Sequence, residues 1–253
     1  MSLVREKLMH IQLRGDRSFR WRGGDVSRIE GLSDAVFAFS ITLLVVSLDV
    51  PQSFDELLRA MRGFFAFGLC FTLLIYIWYS HYIFFRRFGL EDAKTVALNG
   101  MLLFVVLFYI YPLKFLSGFL VQQMFGVQAA QDAVIREAQG PSLMIIYSSG
   151  FLAIFLVLAL LNLHAYSKRD FLQLDPLEEF ETRSSVYVNL LQAGIAAVSI
   201  AIAVWVPIES GGPFYSGIIY SLVGPLVGVY WALRERRGKS IRALPVVQAR
   251  LNP

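Results

Sequence analysis

The sequence predicts an all-α membrane protein that crosses the bilayer with six helices per subunit. Of its 253 residues, 56% are hydrophobic, and the mean hydropathy of +0.57 is too high for an ordinary soluble domain. Several stretches of 19 to 30 residues contain no Asp, Glu, Lys or Arg. The alternation of polar and apolar residues that marks a membrane barrel is absent. Because a backbone in lipid has to satisfy its own hydrogen bonds, we expect these stretches to be helices.

Five uncharged stretches are long enough to cross a hydrocarbon core of roughly 30 Å at about 1.5 Å per residue. In chain order they are residues 64–85, 95–113, 138–167, 184–208 and 211–233. The first apolar segment differs, because its uncharged part, residues 35–48, has only 14 residues. A helix over residues 28–49 has 22 residues and is long enough to span, so the predicted number of spans is six.

The basic residues predict the topology and the domain organisation. We expect one membrane domain, residues 28–236, between a basic N-terminal segment, 1–27, and a basic tail, 237–253. With the N-terminus inside, 19 of the 23 Lys and Arg residues lie on the cytoplasmic side, and six spans return the C-terminus to that side. The pattern therefore predicts a protein of the plasma membrane (the inner membrane in a two-membrane cell) with both termini cytoplasmic. Segment 1–27 is either an amphipathic helix on the membrane surface or a disordered basic tail.

The motifs of enzymes, cofactor sites and nucleic-acid binding are absent from the sequence. The three histidines and the single Cys70 form no catalytic or metal-binding motif, and there is no nucleotide-binding loop. We therefore expect no catalytic residue, no cofactor, no bound metal and no nucleic-acid partner; the excess positive charge suits anionic membrane lipids. A TVGYG filter and the regularly spaced arginines of a voltage sensor are also absent.

The first apolar segment carries polar residues that a lipid anchor does not need. On a helical wheel of about 100° per residue, one stripe combines small, aromatic, hydroxyl and aliphatic side chains. The stripe consists of Ala35, Phe39, Thr42, Leu43 and Val46. Ser33 and Asp34 fall well to either side of it, so we expect them to point into neighbouring helices.

Asp34 needs polar partners, because an unpaired carboxylate near a helix end in lipid costs a few kcal/mol. The candidates at its membrane depth are Arg28, Trp78, His81 and Asn99. Trp78 and His81 are three residues apart and share one face of their helix.

Each of these residues also has an ordinary interpretation. Asp34 can neutralise a helix end beside the headgroups, and Trp78 can be an interfacial tryptophan. The Thr42 hydroxyl can bond to a carbonyl of its own helix. The apolar members of the stripe can be plain interhelical packing.

Three motifs resemble those of the transmembrane protein 175 family, which comprises the lysosomal potassium channel and its prokaryotic homologues. The string RxxxLSD at residues 28–34 resembles the RxxxFSD signature of the family's first helix. The string WYSH that ends at His81 resembles its Trp/His pair on the second span, and Asn99 resembles its third-span asparagine. Leu32 replaces the signature phenylalanine, and Phe39 stands where relatives usually carry Ile or Leu at the narrowest point of the pore.

The resemblance implies a homotetramer in which the first helix of each subunit lines a central pore. Phe39, Leu43 and Val46 would form a hydrophobic constriction, and Thr42 would offer a hydroxyl to a partly dehydrated potassium ion. A polar network would lock the first helix onto the next two spans. Its implied members are Arg28, Ser33, Asp34, Trp78, His81 and Asn99.

The function expected on this basis is a passive, potassium-selective channel that works without a TVGYG filter. Two other functions stay open. A proton-coupled transporter would use Asp34 and His81, although the chain shows neither the repeats nor the broken helices typical of transporters. A non-conducting membrane scaffold would use the stripe of the first helix only to pack subunits together.

Overall fold

The structure, a computed structural model, describes residues 19–46, 52–62, 64–125, 137–245 and 247–248. These residues form helices and connecting turns, with no strand among them, as the predicted all-α class requires. The helices are α1 (Arg28–Val46), α2 (Phe54–Arg62), α3 (Phe64–Phe88), α4 (Ala93–Phe125), α5 (Gly140–Ser167), α6 (Pro176–Trp205), α7 (Gly212–Ile218) and α8 (Val223–Arg242). Short 3₁₀ turns precede α5, α7 and α8.

Five helical segments of the described residues are long and apolar enough to cross a membrane. They are Phe67–Phe88, Ala93–Leu116, Gly140–Ser167, Pro176–Trp205 and Gly212–Arg242. They correspond to the five uncharged stretches, and the protein is a multi-pass membrane protein. The segment α1 is helical but is not among the five, and its first seven residues include three charged side chains. The sixth span therefore stays a prediction, and residues 47–51 lie outside the described part.

The last span is divided, whereas the sequence predicts one helix over residues 211–233. It consists of α7, a 3₁₀ turn at Ile219–Leu222 and then α8. Pro225 is the third residue of α8 and so lies in its first turn, where N–H groups have no partner within the helix and a proline is tolerated. The predicted boundary between residues 236 and 237 falls inside α8, which continues to Arg242.

One end of the helix bundle is rich in basic side chains and is called the basic end below. There α1, α4 and α6 begin, and α3 and α5 end, as the contacts of Ser33 with Asn99 and of His164 with Asp92 show. A capping box starts α1: the Glu30 N–H donates to Ser27 Oγ at 3.2 Å, and the Ser27 N–H donates to Glu30 Oε2 at 2.8 Å.

The apolar core lies between α1, α3, α4 and α5. Its fully buried members include Phe37 of α1, Ile77 of α3, Val106 of α4 and Phe155 of α5. Between α4 and α5 the approach is so close that a Cβ at Gly150 would overlap the Tyr109 ring. In lipid such close packing, rather than exclusion of water, holds helices together.

Residues 19–27, called the strap below, pack across the basic end before entering α1. The Phe19 ring is buried against Phe88, with ring centroids 5.4 Å apart. The backbone N–H groups of Arg22 and Gly23 both donate to the Arg86 carbonyl at 3.1 Å. A Cβ at Gly23 would lie 2.6 Å from the Phe85 carbonyl oxygen, so only glycine fits there. This part of segment 1–27 is therefore neither a surface helix nor a free tail; residues 1–18 lie outside the described part.

Candidate functional site

The helix α1 has two faces of opposite character. Its buried face carries Glu30, Ser33, Phe37, Ser40 and Leu44. Its exposed face carries Arg28, Gly31, Leu32, Ala35, Ala38, Phe39 and Thr42, with Asp34 exposed at its edge. The exposed fraction is 61% for Leu32 and 56% for Phe39, although both are large apolar side chains. The single chain thus leaves one side of α1 uncovered, and that side carries large apolar side chains together with Arg28 and Thr42.

A chain of hydrogen bonds joins the buried face of α1 to α4 and α3. Asn99 Nδ2 donates to Ser33 Oγ at 2.9 Å, and His81 Nε2 lies 2.9 Å from Asn99 Oδ1. Since an amide oxygen only accepts, His81 Nε2 carries the hydrogen. The Ser33 hydroxyl in turn donates to the Ile29 carbonyl at 2.8 Å. All three side chains are at least 98% buried. Water cannot reach them, so these bonds satisfy polar groups that would otherwise have no partner.

Asp34 bonds to a different partner. Trp78 Nε1 donates to Asp34 Oδ1 at 2.8 Å, so the partner is Trp78 rather than Arg28 or His81. The Trp78 ring stacks on Tyr82 with centroids 5.6 Å apart, and Trp21 of the strap meets Tyr82 edge-on at 6.5 Å. A row of aromatic rings therefore connects the first turns of α1 to the strap.

Five of the six predicted network residues come together in two hydrogen-bonded groups, and Arg28 does not join them. Arg28 is exposed and makes no side-chain hydrogen bond or ion pair with any other described residue. Phe37 was missed by the sequence analysis, although it is buried with its ring centroid 5.7 Å from that of His81. The signal for it was available, because Phe37 follows Ser33 by four residues and so shares its helix face.

The predicted pore stripe coincides in part with the exposed face. The exposed arc of α1 covers about 160° and is centred near Thr42. Phe39 lies within the arc, and Leu43 is half-buried at its edge. The Thr42 hydroxyl donates to the Phe39 carbonyl at 2.7 Å, as in the ordinary interpretation, which leaves the oxygen lone pairs free to face outward. The side chain of Val46 lies outside the described part.

A buried ion cluster fixes the strap to the start of α6. The Glu178 side chain is fully buried and accepts from Arg22 Nη2 at 2.7 Å and from Arg20 Nη2 at 3.0 Å. Its other oxygen accepts from the Arg20 backbone N–H at 2.7 Å. The hydrogen bond to Glu178 raises the pKa of the Arg20 guanidinium, because it favours the charged form. Sequence spacing gave no sign of this pairing, since more than 150 residues separate the partners.

A second charged cluster joins α4 to the end of α5. Asp92 accepts from Thr95 Oγ1 at 2.6 Å and lies 2.9 Å from His164 Nε2 and 3.2 Å from Lys168 Nζ. Burial raises the pKa of the Asp92 carboxyl, but these hydrogen bonds outweigh burial and hold the pKa well below its usual value. Asp92 is therefore a carboxylate at neutral pH and ties the two helices together. Within the described ranges, no group of three His, Cys, Asp or Glu side chains is arranged to hold a metal.

Comparisons with known proteins agree on one family. The family model described as the endosomal/lysosomal potassium channel TMEM175 matches residues 28–109. A Marivirga tractuosa protein named potassium channel is 39% identical over 234 residues, which cover 88% of this chain and 94% of that protein. The crystal structure of a threonine-to-alanine variant of the potassium channel MtTMEM175 superposes with a TM-score of 0.74 at 38% identity, covering 86% of this chain and 97% of that one. A TMEM175 homologue from Chamaesiphon minutus, described as lysosomal potassium-selective, gives 0.54 at 26% identity, with coverage of 82% and 96%.

Proposed function

Because the chain belongs to the TMEM175 family of potassium channels, we propose that it is a passive potassium-selective channel in which four copies of α1 surround one pore. The relatives it resembles over most of its length are named potassium channels, which are not enzymes. In this proposal the partners of the chain are three further copies of itself, the membrane lipids and the permeating potassium ion.

The observation that carries the proposal is the two-faced character of α1. The bond of Ser33 on the buried face and that of Asp34 at the edge of the exposed face fix the rotation of α1, so the helix cannot turn its exposed face inward without breaking them. In a homotetramer the exposed face of each α1 meets its three copies around the axis. The surface left uncovered in one chain then becomes the lining of the pore.

Within that pore, Phe39 and Thr42 have different tasks. Four Phe39 rings would form a hydrophobic constriction, which impedes ions because an ion cannot shed its water there without compensation. Four Thr42 oxygens, one turn further along α1, would supply part of that compensation. Leu43 and Val46 would extend the apolar lining beyond them.

The hydrogen bonds favour a channel over a proton-coupled transporter. Asp34 bonds to Trp78, whereas His81 bonds to the neutral amide of Asn99. These are two separate bonds rather than one Asp–His relay, so their natural task is to hold α1 in place. The excess of basic residues at the basic end supports a cytoplasmic location for that end and for both termini.

Currents through purified protein in a planar bilayer test the proposal. With potassium on one side and sodium on the other, the reversal potential should favour potassium at equal pH on both sides. Phe39→Ala should raise the current and weaken discrimination against sodium, because the ion then passes with more of its water. Phe104→Ala is the matched control, since it removes the same ring from an exposed position on α4 rather than α1 and should leave the selectivity unchanged.

Three outcomes would contradict the proposal. No current from correctly assembled protein would indicate the scaffold, and flux that needs a pH gradient would indicate the transporter. Unchanged current and selectivity in well-folded Phe39→Ala would move the constriction to Leu43 or Val46.

A further inference from the structure

A cavity of about 480 Å³ lies between α3, α4, α5, α6 and the start of α8, in the half of the bundle away from the basic end. Cavities of roughly 300–1,000 Å³ are typical of sites for small organic ligands. Its walls include Leu73 of α3, Phe151 of α5 and Val227 of α8, together with the ring of Tyr220. This space is separate from the exposed face of α1, and no residue of the proposed pore lines it.

The cavity opens sideways toward the bilayer. Leu69 of α3 lines it and is nevertheless 57% exposed, so the mouth lies on the outer surface of the helix bundle. Gly224 of α8 lines it on the other side, and a Cβ there would meet nothing within 4 Å. A molecule dissolved in the lipid can therefore enter between α3 and α8.

The polar groups of the cavity define what it can bind. Gln192, which is 99% buried, donates from Nε2 to the Tyr76 hydroxyl oxygen at 3.0 Å. The Tyr76 oxygen thus has its donor, but no described residue accepts the hydrogen of that hydroxyl. No Lys, Arg, His, Asp or Glu is found among the described residues that line the cavity. Tyr147 and Tyr220 line the cavity as well and carry two further hydroxyl groups. The site therefore offers hydroxyl donors, Tyr76 among them, in largely apolar surroundings and nothing to balance a charge.

The depth of Tyr76 in the membrane further restricts the chemical class of the ligand. Tyr76 is the middle residue of α3, Phe64–Phe88, and so lies near the centre of the bilayer. Headgroups and ester carbonyls of lipids lie at the edges of a hydrocarbon core roughly 30 Å thick and do not reach this depth. An acyl chain alone reaches it but offers no acceptor, and an unpaired hydroxyl is costly in lipid.

We propose that this cavity is a binding site for a neutral, lipid-soluble small molecule that carries a carbonyl or ether oxygen. The oxygen accepts from Tyr76, and the apolar remainder fills the space between α3 and α8. Occupancy secures α8 against the bundle, because few residues of this last span are buried in the single chain. The inference does not depend on the proposed channel function.

Photolabelling of full-length protein in phosphatidylcholine vesicles tests the site, with benzophenone as a neutral apolar carbonyl probe. Adducts mapped by mass spectrometry should concentrate on the cavity segments of α3 and α8. Gly224→Phe should abolish them by filling the cavity. Gly228→Phe is the matched control, because that glycine of α8 also has open space around it but does not line the cavity. If Gly224→Phe fails to fold, Val227→Phe replaces it as the test, because Val227 lines the cavity from the same helix and a ring there fills the same space.

Competition tests the hydrogen bond. Fluorenone and fluorene differ chiefly in one carbonyl, and fluorenone should reduce labelling at about tenfold lower concentration, as expected for one net hydrogen bond. Tyr76→Phe should remove this difference while leaving labelling in place. Equal competition in the unaltered protein would indicate a cavity for acyl chains and overturn the proposed ligand class. Labelling that is spread over all lipid-facing helices, or equal in both glycine variants, would overturn the site itself.

Discussion

At the scale of single residues, Asn99 matters most for the position of α1. Its amide uses the donor and the acceptor of one side chain to join Ser33 of α1 to His81 of α3. An aliphatic residue at this position would leave His81 Nε2 buried without a bond and would remove the donor to Ser33 Oγ, which would keep only its own bond to the Ile29 carbonyl. Asp34 contributes a second, independent attachment through Trp78, closer to the surface.

We predict that Asn99→Ala lowers the stability of the folded protein by about 1–3 kcal/mol, the usual cost of stranding buried polar partners. Thermal unfolding in detergent would measure the effect as a lower midpoint. Asn162→Ala is the control, because Asn162 is also buried but bonds to the Leu158 carbonyl of its own helix. Equal midpoints for the two variants would show that Asn99 does not hold α1 in place.

At the scale of helices, charged residues extend elements beyond the apolar stretches that predict them. The sequence predicts an uncharged span that begins at residue 184, whereas α6 begins at Pro176. The additional turns carry Glu178 and Glu181, and both carboxylates are buried against arginines. Asp175 caps the helix, and Glu178 completes the capping box. These charged residues can be part of a largely apolar helix because each carboxylate is paired with an arginine. Sequence alone does not show this pairing.

The strap depends on the same ion cluster, and we predict that Glu178→Gln loosens it. Hydrogen bonds to charged groups contribute about 1.5–3 kcal/mol, so losing the charge should expose Arg20 and Arg22 more often. Trypsin should then cleave after these residues several-fold faster in the variant. Glu179→Gln is the control, because Glu179 is half-exposed and its carboxylate lies 3.9 Å from Arg183. Unchanged cleavage would mean that Phe19 and the backbone bonds hold the strap without Glu178.

At the scale of the whole molecule, the sequence predicts most of the helices and only part of the site. Long uncharged stretches become helices because lipid permits nothing else there. Matching depth correctly offers Trp78 as a partner of Asp34, whereas His81 and Asn99, offered for the same reason, join Ser33 instead. Arg28 shares that depth but lies on the exposed side of α1. The strap and the split between α7 and α8 depend on contacts far apart in sequence or on local turns, which hydropathy does not report.

In the proposed channel the exposed face of α1 lines the ion pore. Cys70 is the only cysteine and is buried. A thiol reagent should therefore react with a single introduced cysteine and hardly at all with the unaltered protein. The most direct test is block of potassium current by a small charged thiol reagent, measured on protein with one cysteine introduced along α1. Block is predicted for Ala35→Cys and Thr42→Cys and not for Phe37→Cys or Ser40→Cys. Block at the buried pair, or at none of the four in conducting protein, would contradict the account.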